Sequence, residues 1–157
     1  MSRCFVIFFI KLAKLSAEVM RLKTLEASAV FLTGALGYWA LELLWRGETH
    51  WTMPLTGGIC FVIIYAIANF MEQPLWQKWI MCASSITAAE FVVGSIVNLR
   101  LGWAVWDYTG RTLNLFGQIC PMFTFYWLLL SIPGVFLSNI LRYYLFIPLY
   151  RRGAHSP

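Results

Sequence analysis

The chain has 157 residues, 60% of them hydrophobic and only 12% charged, with a formal net charge of +5. A soluble domain carries about 45–50% apolar and about 25% charged residues, so the composition excludes an ordinary soluble protein, and the length allows one domain. The basic residues lie between and outside apolar runs, which points to the charge bias of membrane proteins and away from a nucleic-acid partner.

In chain order, the first feature is "CFVIFFI" (Cys4–Ile10), followed by Lys11 and Lys14. It is too short to cross a bilayer, and no small-residue cleavage site marks it as a signal peptide. With "KLAKLSAEVMRLK" behind it, the stretch 4–23 reads as an amphipathic helix on the lipid surface; a fifth membrane segment is the alternative. Four apolar runs follow, at about 25–45, 54–71, 77–98 and 117–137. Each approaches the ~20 residues that cross ~30 Å of hydrocarbon, and none shows the ~10-residue alternation of a membrane strand. The expected fold is an all-α membrane protein of four transmembrane helices arranged as two hairpins, with residues 138–157 as a tail.

The basic residues orient this bundle. Nine of them (Arg3, Lys11, Lys14, Arg21, Lys23, Lys78, Arg142, Arg151 and Arg152) share the side of the termini, and three (Arg46, Arg100 and Arg111) occupy the other. This places both termini in the cytoplasm and the two loops around 46–53 and 99–116 outside. The eight tryptophans suit membrane–water interfaces. Cys4 and Cys82 fall near the cytoplasmic side. Cys60 and Cys120 fall near the outer ends of helices two and four, as small packing residues or as a disulfide. Helix two opens with "GGIC" and helix four with "GQIC", each after an aromatic outer loop, which reads as an internal echo of one hairpin by the other.

Ionisable residues inside apolar runs are the candidate functional groups, because a charge at mid-membrane costs on the order of 2.5–3.5 kcal/mol on insertion scales. Glu90, within "SSITAAEFVVGSIV", is expected to face the bundle interior, partnered by Arg46, His50, Arg100 or a hydroxyl such as that of Tyr126. Glu42 lies one turn before Arg46, as an ion pair or as the mouth of a cavity. His50 belongs to the outer "WRGETHW" loop. In "WDYTGRTLNLFGQIC", Asp107 is flanked by Arg100 and Arg111 and reads as an Asp–Arg loop clamp. Asn114 reads as the cap of helix four, and Gln118 as a further polar group at the same mouth. Glu42, Arg46, His50, Glu90, Arg100, Asp107, Asn114 and Gln118 are thus the candidates for a polar cavity under an outward-facing cap. No metal-ligand spacing is present, and no Walker A loop, dinucleotide fingerprint, HExxH or GxSxG motif. No cofactor is expected, and ATP energy would have to come from a partner.

The contexts "TAAE" (ending at Glu90), "WDY" (Trp106–Tyr108), "NLFGQIC" (Asn114–Cys120) and "GYWALELLWRG" (Gly37–Gly47) resemble the putative ABC-transporter type IV family, over about residues 30–137. The resemblance implies a multi-pass protein of the bacterial cell membrane and a permease-like component. It transfers no catalytic residues. Four helices are few for a pathway, so a homo-oligomer or a partner membrane subunit is expected besides the lipid bilayer. Two other readings stay open: a membrane-embedded acid–base enzyme using Glu42, Glu90 and His50 on a lipophilic substrate, and a non-catalytic subunit of a larger membrane complex.

Overall fold

The structure, a computed structural model, describes the backbone of residues 2–154 and the side chains of residue 21 and residues 23–152. Helices α1 (Ser2–Arg46), α2 (Thr52–Phe70), α3 (Leu75–Gly94), α4 (Pro121–Ile140) and α5 (Ile147–Ala154) follow one another. Two of them run on through π-helical turns, α3 through Ser95–Arg100 and α4 through Leu141–Phe146 into α5. Four stretches are long and apolar enough to cross a membrane: Lys23–Arg46, Thr52–Phe70, Leu75–Arg100 and Pro121–Arg152. Among the described residues there is no strand, only an isolated bridge between Leu115 and Ile119. The interfacial placement expected for 4–23 rests on side chains outside those described.

The boundaries have chemical causes. Pro74 precedes α3, and Pro121 is the first residue of α4, where its missing N–H leaves nothing unsatisfied. Helix four therefore starts four residues later than the expected Gly117, and Gly117–Cys120 belong to the loop before it. Gly57–Cys60, by contrast, lie inside α2, which opens at Thr52. The "GxIC" echo thus joins a helical segment to a loop and is not a pair of helix starts. From residue 138 on, where a tail is expected, the chain stays helical to Ala154.

The helices pair as two hairpins: α1 lies along α2 and α3 along α4, with α2 also touching α3 and α4. Hydrocarbon offers no hydrophobic drive between helices, so close packing has to supply the association. At the α1–α2 crossing, a Cβ on Gly34 would collide with the Phe61 side chain and approach the Gly57 carbonyl oxygen to 2.7 Å. One on Gly57 would collide with Tyr38. The middle of the bundle is filled by Ile64, Cys82, Ile86, Ser131 and Val135, each 8% exposed or less. Cys60, Cys82 and Cys120 are buried free thiols.

Two polar constructions close the ends. At the end nearest the termini, Glu26 is buried and accepts from the Tyr65 hydroxyl, the Tyr150 hydroxyl and Arg142 Nη1 (3.2 Å). Arg142 also lies over the Phe70 ring, 4.5 Å from its centroid. One carboxylate thereby ties α1 to α2, α5 and the π-helical turn between α4 and α5. Nearby, Asn69 Nδ2 donates to Ser138 Oγ (2.7 Å), and Lys78 Nζ donates to the Ala68 carbonyl (2.7 Å). The opposite end is covered by the 101–120 loop.

The α1–α2 crossing makes a contrast between two glycines on one helix. Gly34→Val should cost about 1–3 kcal/mol by overpacking. Gly37→Ala, with nothing within 4 Å of its new methyl, should be neutral or stabilise by up to about 1 kcal/mol. Thermal melting of the two variants in lipid nanodiscs checks this; equal midpoints would mean that the helices do not cross there.

Candidate functional site

The 101–120 loop is held by side chains, not by secondary structure. Asn98, on the π-helical turn after α3, accepts from the Val105 N–H through Oδ1 (2.7 Å) and donates through Nδ2 to Gln118 Oε1 (2.8 Å). Gln118 Nε2 donates to the Phe116 carbonyl (2.9 Å), and Trp106 Nε1 donates to the Gln118 carbonyl (3.0 Å). Gly94 leaves the space that Gln118 and Trp106 enter. Val105 and Trp106 are buried against Met53 and Val97, a small second core beneath the loop. Gly117 has φ +68°, and a side chain there would crowd Thr109 and Asp107. Ala104, Leu113 and Phe116 also hold positive φ, between 50° and 55°. That conformation costs non-glycine residues roughly 1–2 kcal/mol each.

This framework sets Tyr108 over Glu90. The Glu90 side chain is buried; Trp127 Nε1 donates to its Oε2 at 2.5 Å and the Tyr108 hydroxyl to its Oε1 at 3.3 Å. Tyr108 stacks on Phe123 of α4, with centroids 4.3 Å apart. Burial, and after it the Glu90 carboxylate, push the Tyr108 phenol well above its ordinary range. It therefore remains a donor throughout the physiological range.

Beside this node lies a cleft of about 720 Å³ between α1 and α4, roofed by the loop. Tyr38, Glu42, Trp45 and Arg46 line it from α1, Tyr126, Trp127 and Leu129 from α4, and Trp106, Asp107, Tyr108 and Arg111 from the loop. Leu44, Trp45 and Leu129 at its edges are exposed on the bundle flank, so the cleft opens sideways. Glu42 is only 9% exposed; Arg46 Nη1 stands 3.6 Å from its Oε2. Arg46 Nη2 donates to the Val105 carbonyl (2.8 Å), so the same arginine also ties α1 to the loop.

Of the sequence candidates, Glu42, Arg46 and Asp107 meet at the cleft, and Glu90 sits directly behind its wall. Gln118, 3% exposed, and Asn114 act inside the loop. Asn114 does not cap helix four: its Nδ2 donates to the Thr109 and Arg111 carbonyls, and its Oδ1 accepts from the Gly117 N–H (2.9 Å), because the helix begins only at Pro121. Asp107 is not clamped by an arginine. It accepts from the Thr109 N–H (2.8 Å) and hydroxyl (2.9 Å), two positions on, a geometry that short-range turn chemistry favours over a distant ion pair. His50 lies apart, bonded through Nδ1 to Thr52 Oγ1 (2.9 Å) and packed between Trp51 and Trp103. Arg100 is exposed and away from the cleft. Of the partners expected for Glu90, neither an arginine nor His50 bonds to it; a hydroxyl does, that of Tyr108 and not of Tyr126. Among the described residues, the donors to Glu90 are the Trp127 indole and the Tyr108 hydroxyl; Trp127 is not singled out in the sequence, and nothing local to it points to an acid on another helix.

The chain matches the family described as "Putative ABC-transporter type IV" over residues 29–150, which include both hairpins and the whole cleft. No curated protein and no solved structure matches it.

Glu90 separates two substitutions. Glu90→Leu leaves the Trp127 N–H and the Tyr108 hydroxyl without acceptors, and each unsatisfied buried group costs about 1–3 kcal/mol. Glu90→Gln keeps an acceptor and the shape, so the protein should insert and melt close to wild type. Melting in nanodiscs and tryptophan fluorescence check the order; a leucine variant as stable as the glutamine one would show that neither donor depends on the carboxyl group.

Proposed function

Given that the chain belongs to the putative ABC-transporter type IV family, we propose that it is the substrate-binding membrane component of a transport system, and that it takes an amphiphilic molecule sideways from the lipid into the cleft under the 101–120 loop. The observation that carries this reading is the cleft's composition and its opening. Apolar and aromatic walls continue into the lipid-facing flank between α1 and α4, while Glu42, Arg46, Asp107 and Arg111 supply polar contacts inside. Such a site suits a molecule with one apolar and one polar part.

The packed middle of the bundle supports a through-path between copies of the chain or between the chain and a partner subunit. With no Walker A sequence in the chain, ATP hydrolysis belongs to a partner as well. Acid–base chemistry is less favoured by the geometry. Both oxygens of Glu90 are occupied by donors, and His50 is bonded elsewhere. The cleft end faces outward and both termini face the cytoplasm in this proposal, supported by the nine-to-three basic bias.

Two measurements bear on it. Cells lacking the chain and cells supplied with it are compared for accumulation of a panel of amphiphiles, with Leu129→Trp as a variant that narrows the cleft. At least one compound should differ, and the narrowed cleft should reduce that difference by about tenfold, equivalent to 1.4 kcal/mol of binding. A flat panel with correctly inserted protein removes the transport reading. For orientation, Thr49→Cys and Thr109→Cys, in a background without native thiols, should react with an impermeant maleimide added outside, and Ser156→Cys should not. Outside labelling at 156 reverses the topology.

A further inference from the structure

Among the described residues, the three acids within the membrane-spanning helices differ in how their oxygens are met. Glu26 receives two hydroxyls and a guanidinium, and Glu90 an indole N–H and a phenol. Glu42 is equally buried, yet its Oε2, closed off from the surface, receives no hydrogen bond from any described residue. The nearest cation, Arg46 Nη1, stands at 3.6 Å, beyond hydrogen-bond range, and the other end of that guanidinium is committed to the Val105 carbonyl. A buried carboxylate oxygen without a donor is a standing cost unless something supplies the donor. Glu42 lines the cleft, so the donor can arrive with a ligand.

We propose that the cleft binds an ammonium group borne on an apolar tail, with the Glu42 carboxylate, turned to present an oxygen to the cleft, as its acceptor. The inference rests on the reading of the cleft as a binding site and adds the chemical class of what it holds. Three features agree. The walls around Glu42 are aromatic (Tyr38, Trp106, Tyr108 and Trp127), and aromatic faces attract ammonium ions. Glu42 is buried, while the guanidinium beside it, that of the exposed Arg46, stands off at 3.6 Å, so the corner can take a further positive charge. An anion finds less: Arg46 is already engaged, and Arg111 stands exposed at the roof near Asp107. The tail leaves along Leu41 and Leu129, both exposed on the flank where lipid lies.

The probe is dodecylammonium, with dodecanoate as its anionic counterpart, titrated into the full chain in phosphatidylcholine nanodiscs and read by the fluorescence of the cleft tryptophans. Dodecylammonium should give a saturable change, and dodecanoate only a non-saturating drift. Glu42→Gln should weaken the ammonium affinity at least about tenfold, with an unchanged melting curve, because an amide offers a weaker acceptor without charge. Glu42→Asp, which keeps the charge but withdraws it by one methylene, should weaken binding less and covers the case of a glutamine variant that does not fold. Phosphatidylethanolamine in the disc should compete if a lipid headgroup is the natural source of the ammonium, and should leave binding unchanged if a free amphiphile is. Saturable dodecanoate binding that is equal or tighter overturns the ammonium assignment while keeping the cleft. Wild-type affinity in folded Glu42→Gln overturns the role of Glu42. No saturable binding of either probe overturns the cleft as well.

Discussion

A carboxyl group placed among apolar helices must find its donors within the protein, and the site depends on how Glu90 meets that demand. Its donors come from two different elements, the indole of Trp127 on α4 and the phenol of Tyr108 on the loop. Satisfying one acid on α3 therefore fixes a helix and a loop at once. Tyr108 can reach it only if the loop folds back over the bundle, and that fold sets Trp106, Asp107 and Arg111 above the space between α1 and α4. The cleft follows from this arrangement: α1 is held along α2 by the Gly34–Gly57 crossing, α4 is held against α3, and the gap between α1 and α4 is roofed but not filled.

The two ends of the bundle answer the same electrostatic problem differently. At the termini end Glu26 is fully met, and its partners span α1, α2 and the α4–α5 connection. Breaking a buried pair by removing one partner typically costs about 3–5 kcal/mol, less here because the Arg142 side chain is 30% exposed and solvent screens it. That end is a clamp. At the other end Glu42 is met halfway, by one arginine at a distance. Structural carboxylates in a low-dielectric interior are normally satisfied, and an unsatisfied one beside an open cleft is what the proposed ligand would complete.

Much of the architecture was legible in the sequence because hydrocarbon imposes few solutions. Apolar run length gave four spans, and the i, i+4 spacing of Glu42 and Arg46 offered their pairing as one of two readings. Glu90 stood out because a charge there is expensive. What was not legible depends on tertiary distance or on loop backbone. Glu26 and Arg142 are 116 positions apart, and neither carries a local sign of the other. "GQIC" reads as the apolar opening of a helix, but Gly117 holds a positive φ and Pro121 supplies the better first residue, so four residues moved from helix to loop. Asn114 followed them: its oxygen does accept a backbone N–H three residues on, as a cap would, but that N–H belongs to a loop glycine. Trp127 has the composition of a membrane anchor and the position of a hydrogen-bond donor, and only packing distinguishes the two.

The loop's backbone bears on what the cleft is for. Ala104, Leu113 and Phe116 each hold a conformation that ordinary side chains avoid, and the chain keeps them there through Asn98, Asn114, Gln118 and Arg46. A loop needed only to connect α3 to α4 has cheaper paths. Strain of this kind persists where surrounding contacts over-determine it, and it concentrates where a fixed shape is useful. The shape fixed here is the roof of the cleft, with Tyr108 pinned to Glu90 below and Val105 to Arg46 at the side. Arg46 connects the two halves of the argument: one face of its guanidinium stands off Glu42 and the other holds the roof. On the proposed reading, a cation taken up by Glu42 would compete with Arg46 for its carboxylate, and so act on the residue that ties the roof to α1. Occupancy of the cleft and the hold of the loop on the bundle would then be coupled through this side chain, the kind of linkage a binding component needs if a partner is to sense its load.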